Sequence, residues 1–285
     1  MLILFVYIVV LLIPTVAVIF WAVFVTKRER AKSAVPFTEL LRRPAGESAR
    51  LKMEKYSDDL DTWLMALVFV PIALALTLFT QSKINVSVIA LLLLADVIVA
   101  AVALRKIRSL VRERACYRLG FEGKRYVAEE LNQLMADGFR VFHDVPFDGF
   151  NIDHVLVGPT GVFAIETKTK KKPLVGGKKQ YRVMFDGQRL RFPNGTDADA
   201  VDQVRRNQKT LSKWLSSATA DAVRAIGIIT TPGWFVERTR QSDVHVVSPK
   251  EIRQLVLQFR SDRLDAGKIQ RTSHQLEQKC KLPIG

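Results

Sequence analysis

Cysteine is nearly absent from this chain of 285 residues: Cys116 and Cys280 stand alone and far apart, without a CxxC or Cys/His spacing around either. That argues against a disulfide framework and a structural zinc site, and it accords with a reducing compartment. Negative charge is also scarce. Against 43 Lys and Arg there are 28 Asp and Glu, a formal net charge of +15, and the pI is near 10.0. Such an excess implies a polyanionic partner, either nucleic acid or an anionic lipid surface. Charge alone does not choose between them, because basic stretches commonly flank membrane spans on the cytoplasmic side. Long apolar runs are missing after residue 105, and that part reads as soluble protein; the length allows one or two domains.

The apolar residues are concentrated in three blocks: 2–26, 62–80 and 85–104. About 20 apolar residues cross a bilayer, so each block reads as a transmembrane helix. The first could instead be a signal peptide, but it lacks a basic start, its apolar run is too long, and no small-residue cleavage site follows. The second and third are joined only by Gln81-Ser82-Lys83-Ile84 and read as a helical hairpin. Lys and Arg crowd the segment 27–61 and the exit from the third block (Arg105, Lys106, Arg108, Arg112, Arg114), whereas the hairpin connection holds only Lys83. By the positive-inside rule, both basic flanks are cytoplasmic and the amino terminus is outside. The expectation is a multi-pass protein of a cell inner membrane, with residues 105–285 inside. Pro14 and Pro71 are tolerated within spans. Asp96 in the third block is costly there, but no second intramembrane charge accompanies it, so a helix contact or near-surface role is expected rather than an ion pathway.

Beyond a basic linker at 105–119, Phe121 to Met135 has helical spacing, with Val127, Leu131 and Leu134 on one stripe and Gly138 as the stop. Strands are expected at 139–145, 151–157 and 161–169, the last two joined by the turn Gly158-Pro159-Thr160-Gly161. A symmetric hairpin about Pro159-Thr160 places Asp153 opposite Glu166 and Asn151 opposite Lys168. Strand alternation then gathers Asp153, Glu166, Lys168 and Asn151 on one face. Opposed residues have Cβ atoms about 4.5–5.5 Å apart, and like charges there destabilise. Two such carboxylates either share a proton or bind a cation, and a hard divalent ion suits them. The alternative is a pair of ordinary polar residues on a solvated sheet face. Both, however, lie in otherwise apolar strands.

At these residues the sequence resembles the nuclease-related domain (NERD) family of the restriction-endonuclease-like PD-(D/E)xK superfamily. The resemblance rests on Gly120 to Gly123, Phe142 to Val145, the unbroken run Asn151 to Lys168, Asp186-Gly187, Phe192-Pro193, Gln203 and Pro232 to Trp234. It covers residues 120–248, leaving a helical tail at 249–285. It implies an α/β fold, a central mixed sheet flanked by helices, preceded here by the three spans. It also implies hydrolysis of DNA or RNA phosphodiesters with Mg²⁺ or Mn²⁺. By position, Asp153 and Glu166 would be metal ligands, helped by the carbonyl of Thr167. Lys168 would activate the attacking water, and Gln203 would stand near the metal. One departure is Lys124, where the family usually has glutamate.

On an expected helix around 199–215, Val201, Val204, Gln208, Leu211 and Leu215 form one stripe, with Gln203, Asn207 and Thr210 beside it. Lys170, Lys171, Lys172, Lys178 and Lys179, with Arg205, Arg206, Lys209 and Lys213 on the helix, could neutralise phosphates without reading sequence. A solvated face is the plainer account of such runs. His154 reads as structural rather than as a ligand. Two readings follow: a membrane-tethered nuclease, or a catalytically weak or inactive nucleic-acid-binding module tethered to the membrane.

Overall fold

A computed structural model describes residue 21 and residues 41–79, 86–260 and 262–281. The chain divides into two units, one of Met1–Glu39 with Asp59–Leu110 and one of Leu40–Asp58 with Val111–Gly285. In the first, the apolar stretches of α1 (Glu47–Phe79) and α2 (Val86–Asn132) leave Met65, Val68, Phe69, Leu93 and Val97 exposed. Both helices are long and apolar enough to cross a membrane. They account for two of the three expected spans. The span at 2–26, apart from Trp21, and the connection 81–84 lie outside the described residues.

Two sequence boundaries are corrected. Residues 105–119 are not a linker but the middle of α2: the run holds no Gly or Pro, and its Arg, Lys, Leu and Ala are good helix formers. Of the expected loop 27–61, everything from Glu47 onward is helix, and 27–40 lies outside the described residues. Gly138, with φ of 83°, closes the 3₁₀ turn Gln133–Asp137 that follows α2, a left-handed position that glycine adopts without strain.

The second unit is a mixed α/β domain. Its strands are β1 (Arg140–Phe147), β2 (Phe150–Gly158), β3 (Gly161–Thr167), β4 (Leu174–Val175), β5 (Lys178–Lys179), β6 (Arg182–Phe185), β7 (Leu190–Phe192) and β8 (Gly195–Asp197). After α3 (Ala200–Thr219) come β9 (Ala225–Thr230), β10 (Phe235–Arg238), β11 (His245–Val247), α4 (Ile252–Gln258) and α5 (Ala266–Lys279). The central sheet has the order β1-β2-β3-β9-β11. Its first two pairings are antiparallel and its last two parallel. A smaller sheet runs β10-β6-β7-β8.

Alternation along β3 explains the layers. Val162 and Ala164 join Leu211 and Leu215 of α3 and Leu276 of α5, whereas Phe163 and Ile165 join Val127 and Leu131 of α2 and Ile252 and Val256 of α4. The small sheet closes a third cluster, with Val183, Phe185 and Leu190 against Val201 and Val204 of α3. Within the expected tail, the described residues include α4 and α5.

The β2–β3 register matches the symmetric turn from Gly158–Gly161 to His154–Ile165 and stops there, so the expected pairs Asp153–Glu166 and Asn151–Lys168 are not formed; Asn151 pairs with Pro146 of β1 instead. Alternation fails one strand away. Phe142 and Val145 of β1 point into one cluster, as do Ile152 and Val155 of β2, so each strand turns over between its pair. The ladder pairs His143 with His154 and Val145 with Ile152 but leaves Asp144 and Asp153 unpaired. Asp144 has φ of 48°, a conformation that costs energy outside glycine and needs support from its surroundings. The support is visible. The fully buried Asp144 carboxylate accepts from Arg43 Nη2 at 2.5 Å and Nε at 3.0 Å, from Ser48 Oγ at 2.6 Å and from the Ser48 backbone N–H at 3.1 Å. The segment before α1 and the first turns of α1 are thereby part of this domain.

Removing one partner of a buried ion pair leaves the other charge stranded, at a cost of about 3–5 kcal/mol. Arg43→Met should therefore destabilise this unit by about that much, read as a lowered denaturation midpoint of the full-length chain in detergent by near-ultraviolet circular dichroism. An unchanged midpoint would contradict the account.

Candidate active site

Four segments meet where β3 ends. β3 supplies Glu166, Thr167 and the following Lys168, whose N–H still donates to Thr230 O of β9 at 2.9 Å. β2 supplies Asp153. α3, whose apolar stripe packs on the sheet, turns Gln203 and Asn207 toward Glu166; they lie one helical turn apart on the same side. α2 reaches the same point because residue 123 is glycine. A Cβ there would stand 1.9 Å from Thr169 Oγ1, so only glycine lets the helix close on the strand end and bring Lys124 in.

Every carboxylate oxygen of the pair has a donor. Asp153 Oδ1 is 2.6 Å from Lys124 Nζ, and its Oδ2 accepts from the Thr167 backbone N–H at 2.9 Å. Glu166 Oε1 accepts from Gln203 Nε2 at 2.8 Å and pairs with Lys168 Nζ at 3.2 Å, while Oε2 accepts from Asn207 Nδ2 at 3.4 Å. Lys168 Nζ in turn donates to Gln203 Oε1 at 2.7 Å. The side chains of Asp153 and Glu166 are only 4% and 6% exposed, so these contacts act at low dielectric.

Burial, with the Asp153 charge beside it, pushes the Glu166 carboxyl up to about 7, while Lys168 and Lys124 pull the other way. Burial alone would lower the Lys124 ammonium. The Asp153 charge and hydrogen bond, with Glu166 and Asp144 farther off, outweigh it and hold the group above the usual lysine range.

The expected residues Asp153, Glu166, Lys168 and Gln203 are thus brought together, with Thr167 at their centre. Sequence reasoning placed Asn207 beside Gln203 but gave it no role. It met Asp144 only inside the Phe142–Val145 match and Arg43 only as one basic residue of 27–61, and it missed their pairing, because no local pattern signals a contact between residues a hundred positions apart. His154 is fully buried. Its Nδ1 lies 2.9 Å from His143 Nδ1, and its Nε2 lies 3.2 Å from Thr167 Oγ1. Burial lowers His143 to about 4 and holds His154 well below the usual histidine range, so both are neutral supports rather than charged groups.

The expected phosphate contacts divide. Lys170, Lys171 and Lys172 follow Lys168 directly, and Lys178 and Lys179 are exposed on β5. Arg206, Lys209 and Lys213 are exposed on α3. Arg205 is engaged by Asp243 at 2.6 Å and Asp202 at 3.3 Å, which balances its charge within the protein.

Two neighbouring carboxylates with a strand-end carbonyl at Thr167 form a hard-oxygen donor set, the kind Mg²⁺ accepts while keeping several waters. No third acidic, histidine or cysteine ligand completes a cluster among the described residues. Lys124 already stands on Asp153. The donors fit a divalent cation, and Lys124 competes for the same oxygen.

Residues 119–236 match a family described as the nuclease-related domain, NERD. No curated protein and no solved structure matches the chain.

A carboxyl raised from 4.5 to about 7 holds its proton more tightly folded than unfolded. In the metal-free protein its contribution to stability is full below pH 4.5 and is lost as pH rises through about 7. Glu166→Gln should flatten that part of the stability profile, measured by denaturation at a series of pH values in chelator. An identical slope in both proteins would contradict the assignment.

Proposed function

We propose, from the nuclease-related domain that the chain carries at residues 119–236, that this is a membrane-anchored nuclease. It hydrolyses phosphodiester bonds of DNA or RNA on the cytoplasmic side with a divalent metal, Mg²⁺ or Mn²⁺. The observation that carries the reading is the meeting of Asp153, Glu166, Lys168 and Gln203, from elements distant in sequence, at one buried point. The mixed central sheet between two helical layers accords with a restriction-endonuclease-like fold. The two apolar helices, with Lys and Arg crowding 27–61 and 105–114 but only Lys83 in the connection, support an inner-membrane anchor that leaves the domain inside.

Asp153, Glu166 and the Thr167 carbonyl would hold the metal, which when bound supplies a Lewis acid and a water of lowered pKa. The chain's own groups do the rest. Gln203 receives the Lys168 ammonium on its oxygen while its amide holds Glu166, so one side chain fixes the spacing of the carboxylate and the ammonium. Lys168 Nζ orients the attacking water and offsets charge developing on the phosphoryl oxygens. Asn207 holds the far oxygen of Glu166. With the full-length chain in detergent, Asp153→Ala and Glu166→Ala should abolish metal-dependent cleavage of plasmid and RNA. Lys168→Ala should cut turnover by roughly 10²-fold with little change in the metal requirement. Undiminished cleavage by either acid variant removes the assignment, and a Lys168 variant that merely needs more metal removes its role.

A second reading, a binding module with weak or no catalysis, is favoured by one contact: the Lys124 ammonium on Asp153 Oδ1 at 2.6 Å. Binding a metal at Asp153 requires this ion pair to open, so wild type should cleave weakly and need high metal. Lys124→Glu should bind metal at least about tenfold tighter, since an adjacent opposite charge shifts such equilibria by a unit or more. It should also cleave faster. Calorimetric titration and cleavage rates at fixed salt measure both, and equal values for the two proteins would take Lys124 out of the site.

A further inference from the structure

The end of β3 is held differently on its two sides. The ladder between β2 and β3 stops at His154 and Ile165, immediately before Glu166. On the other side β3 stays paired with β9 through Thr167 and Thr230. Toward β2 the strand end is held instead by two adjacent side chains. Asp153 Oδ2 accepts from the Thr167 N–H at 2.9 Å, and His154 Nε2 lies 3.2 Å from Thr167 Oγ1. A cation at Asp153 would draw on the same carboxylate that holds the N–H, whereas the His154 contact involves no ligand oxygen.

Hydrogen-bonding chemistry sets the direction of that contact. Asn132 Oδ1 lies 3.2 Å from His143 Nε2, and an amide oxygen only accepts, so His143 carries its hydrogen on Nε2. A neutral imidazole has one N–H, and burial keeps both rings neutral. His143 Nδ1 is therefore bare and accepts from His154 Nδ1, 2.9 Å away. That leaves His154 Nε2 bare in turn, and the Thr167 hydroxyl donates to it. Donation runs one way, from Thr167 through His154 and His143 to Asn132. All four ring nitrogens are used, so neither histidine has a lone pair to offer a metal.

We infer that His154 is a positioning residue: fixed as the Nδ1–H tautomer, it anchors the Thr167 end of β3 and so holds the Thr167 carbonyl in place for a cation. The inference rests on the reading of Asp153, Glu166 and the Thr167 carbonyl as metal ligands, and it adds a residue that acts only through Thr167. His154 is fully buried and Thr167 is 7% exposed, so water does not compete for the bond between them. Partners that orient ligands from behind in this way set metal affinity by about tenfold to a hundredfold.

The first test needs no metal. Nitrogen-15 magnetic-resonance spectra of the histidine-labelled full-length chain, in nanodiscs with chelator, should show His154 protonated on Nδ1 and bare on Nε2. His143 should be protonated on Nε2, with a nitrogen–nitrogen coupling across the bond between the two Nδ1 atoms. In the same state the Thr167 N–H should exchange about fivefold faster in His154→Leu than in wild type, the scale of one neutral hydrogen bond. His154→Gln, whose amide oxygen can accept from the hydroxyl, should stay near wild type. Calorimetric titration with Mn²⁺ then reads the site. His154→Leu and Thr167→Val should each bind at least about tenfold more weakly. The double variant should bind no more weakly than either, because both remove one bond, and Thr167→Ser should keep the wild-type affinity. His154 protonated on Nε2 overturns the proposal, and this outcome is read on wild type even where an apolar variant fails to fold. Unchanged exchange and Mn²⁺ affinity in His154→Leu and Thr167→Val overturn it too. A wild type that takes up no Mn²⁺ refutes the metal reading instead, and the metal-free spectra and exchange rates still decide whether His154 holds Thr167.

Discussion

Buried negative charge at one end of the central sheet is the constraint around which this domain is organised. Asp144, Asp153 and Glu166 sit on adjacent strands, each almost wholly removed from water. Carboxylates so placed repel one another and lose their hydration unless donors and cations are brought to them. Arg43 comes from the segment before α1, Ser48 from the first turn of α1, Lys124 from α2, Lys168 from beyond β3, and Gln203 and Asn207 from α3. Each of these elements has its apolar reason to pack on the sheet, but the acids decide where its polar groups go.

The same constraint explains irregularities that would otherwise look like defects. The turned-over alternation at Asp144 and Asp153 removes both from the ladder and aims one at Arg43 and the other at Lys124. The positive φ of Asp144 is sustained by four hydrogen bonds to its carboxylate. The glycine at 123 and the histidine pair beneath Thr167, His154 buried and His143 half-buried, belong to the same arrangement, one by letting a helix approach and one by packing behind the strand end. Stability and chemistry therefore draw on one set of contacts. A divalent cation at the two site acids would replace part of a balance that lysines now maintain.

The small sheet adds a different element. Its inner face completes the core with Trp234, Phe192 and the start of α3, and its outer face carries Arg182, Met184, Phe235 and Glu237. The lysine run after Lys168 packs on the inner side, with Lys170 over the Phe192 ring and Lys172 over the Trp234 ring.

Much of this was legible in the chain itself. The period-two pattern and the Gly-Pro-Thr-Gly turn place β2 against β3 in the observed register, because a tight turn leaves a hairpin few alternatives. The apolar stripe on α3 identifies its buried face and so puts Gln203 and Asn207 beside it. Length and composition alone mark the two apolar helices. What tertiary structure decided is what local patterns do not encode. Residues 105–119 continue a helix rather than link domains, because propensity there was stronger than a change of composition suggested. Lys124 could have pointed to solvent; the glycine before it and the buried charge of Asp153 draw it inward. Arg43 stands a hundred residues from Asp144, and a contact across that span is set by the burial of one charge and its need for another, which no periodicity records.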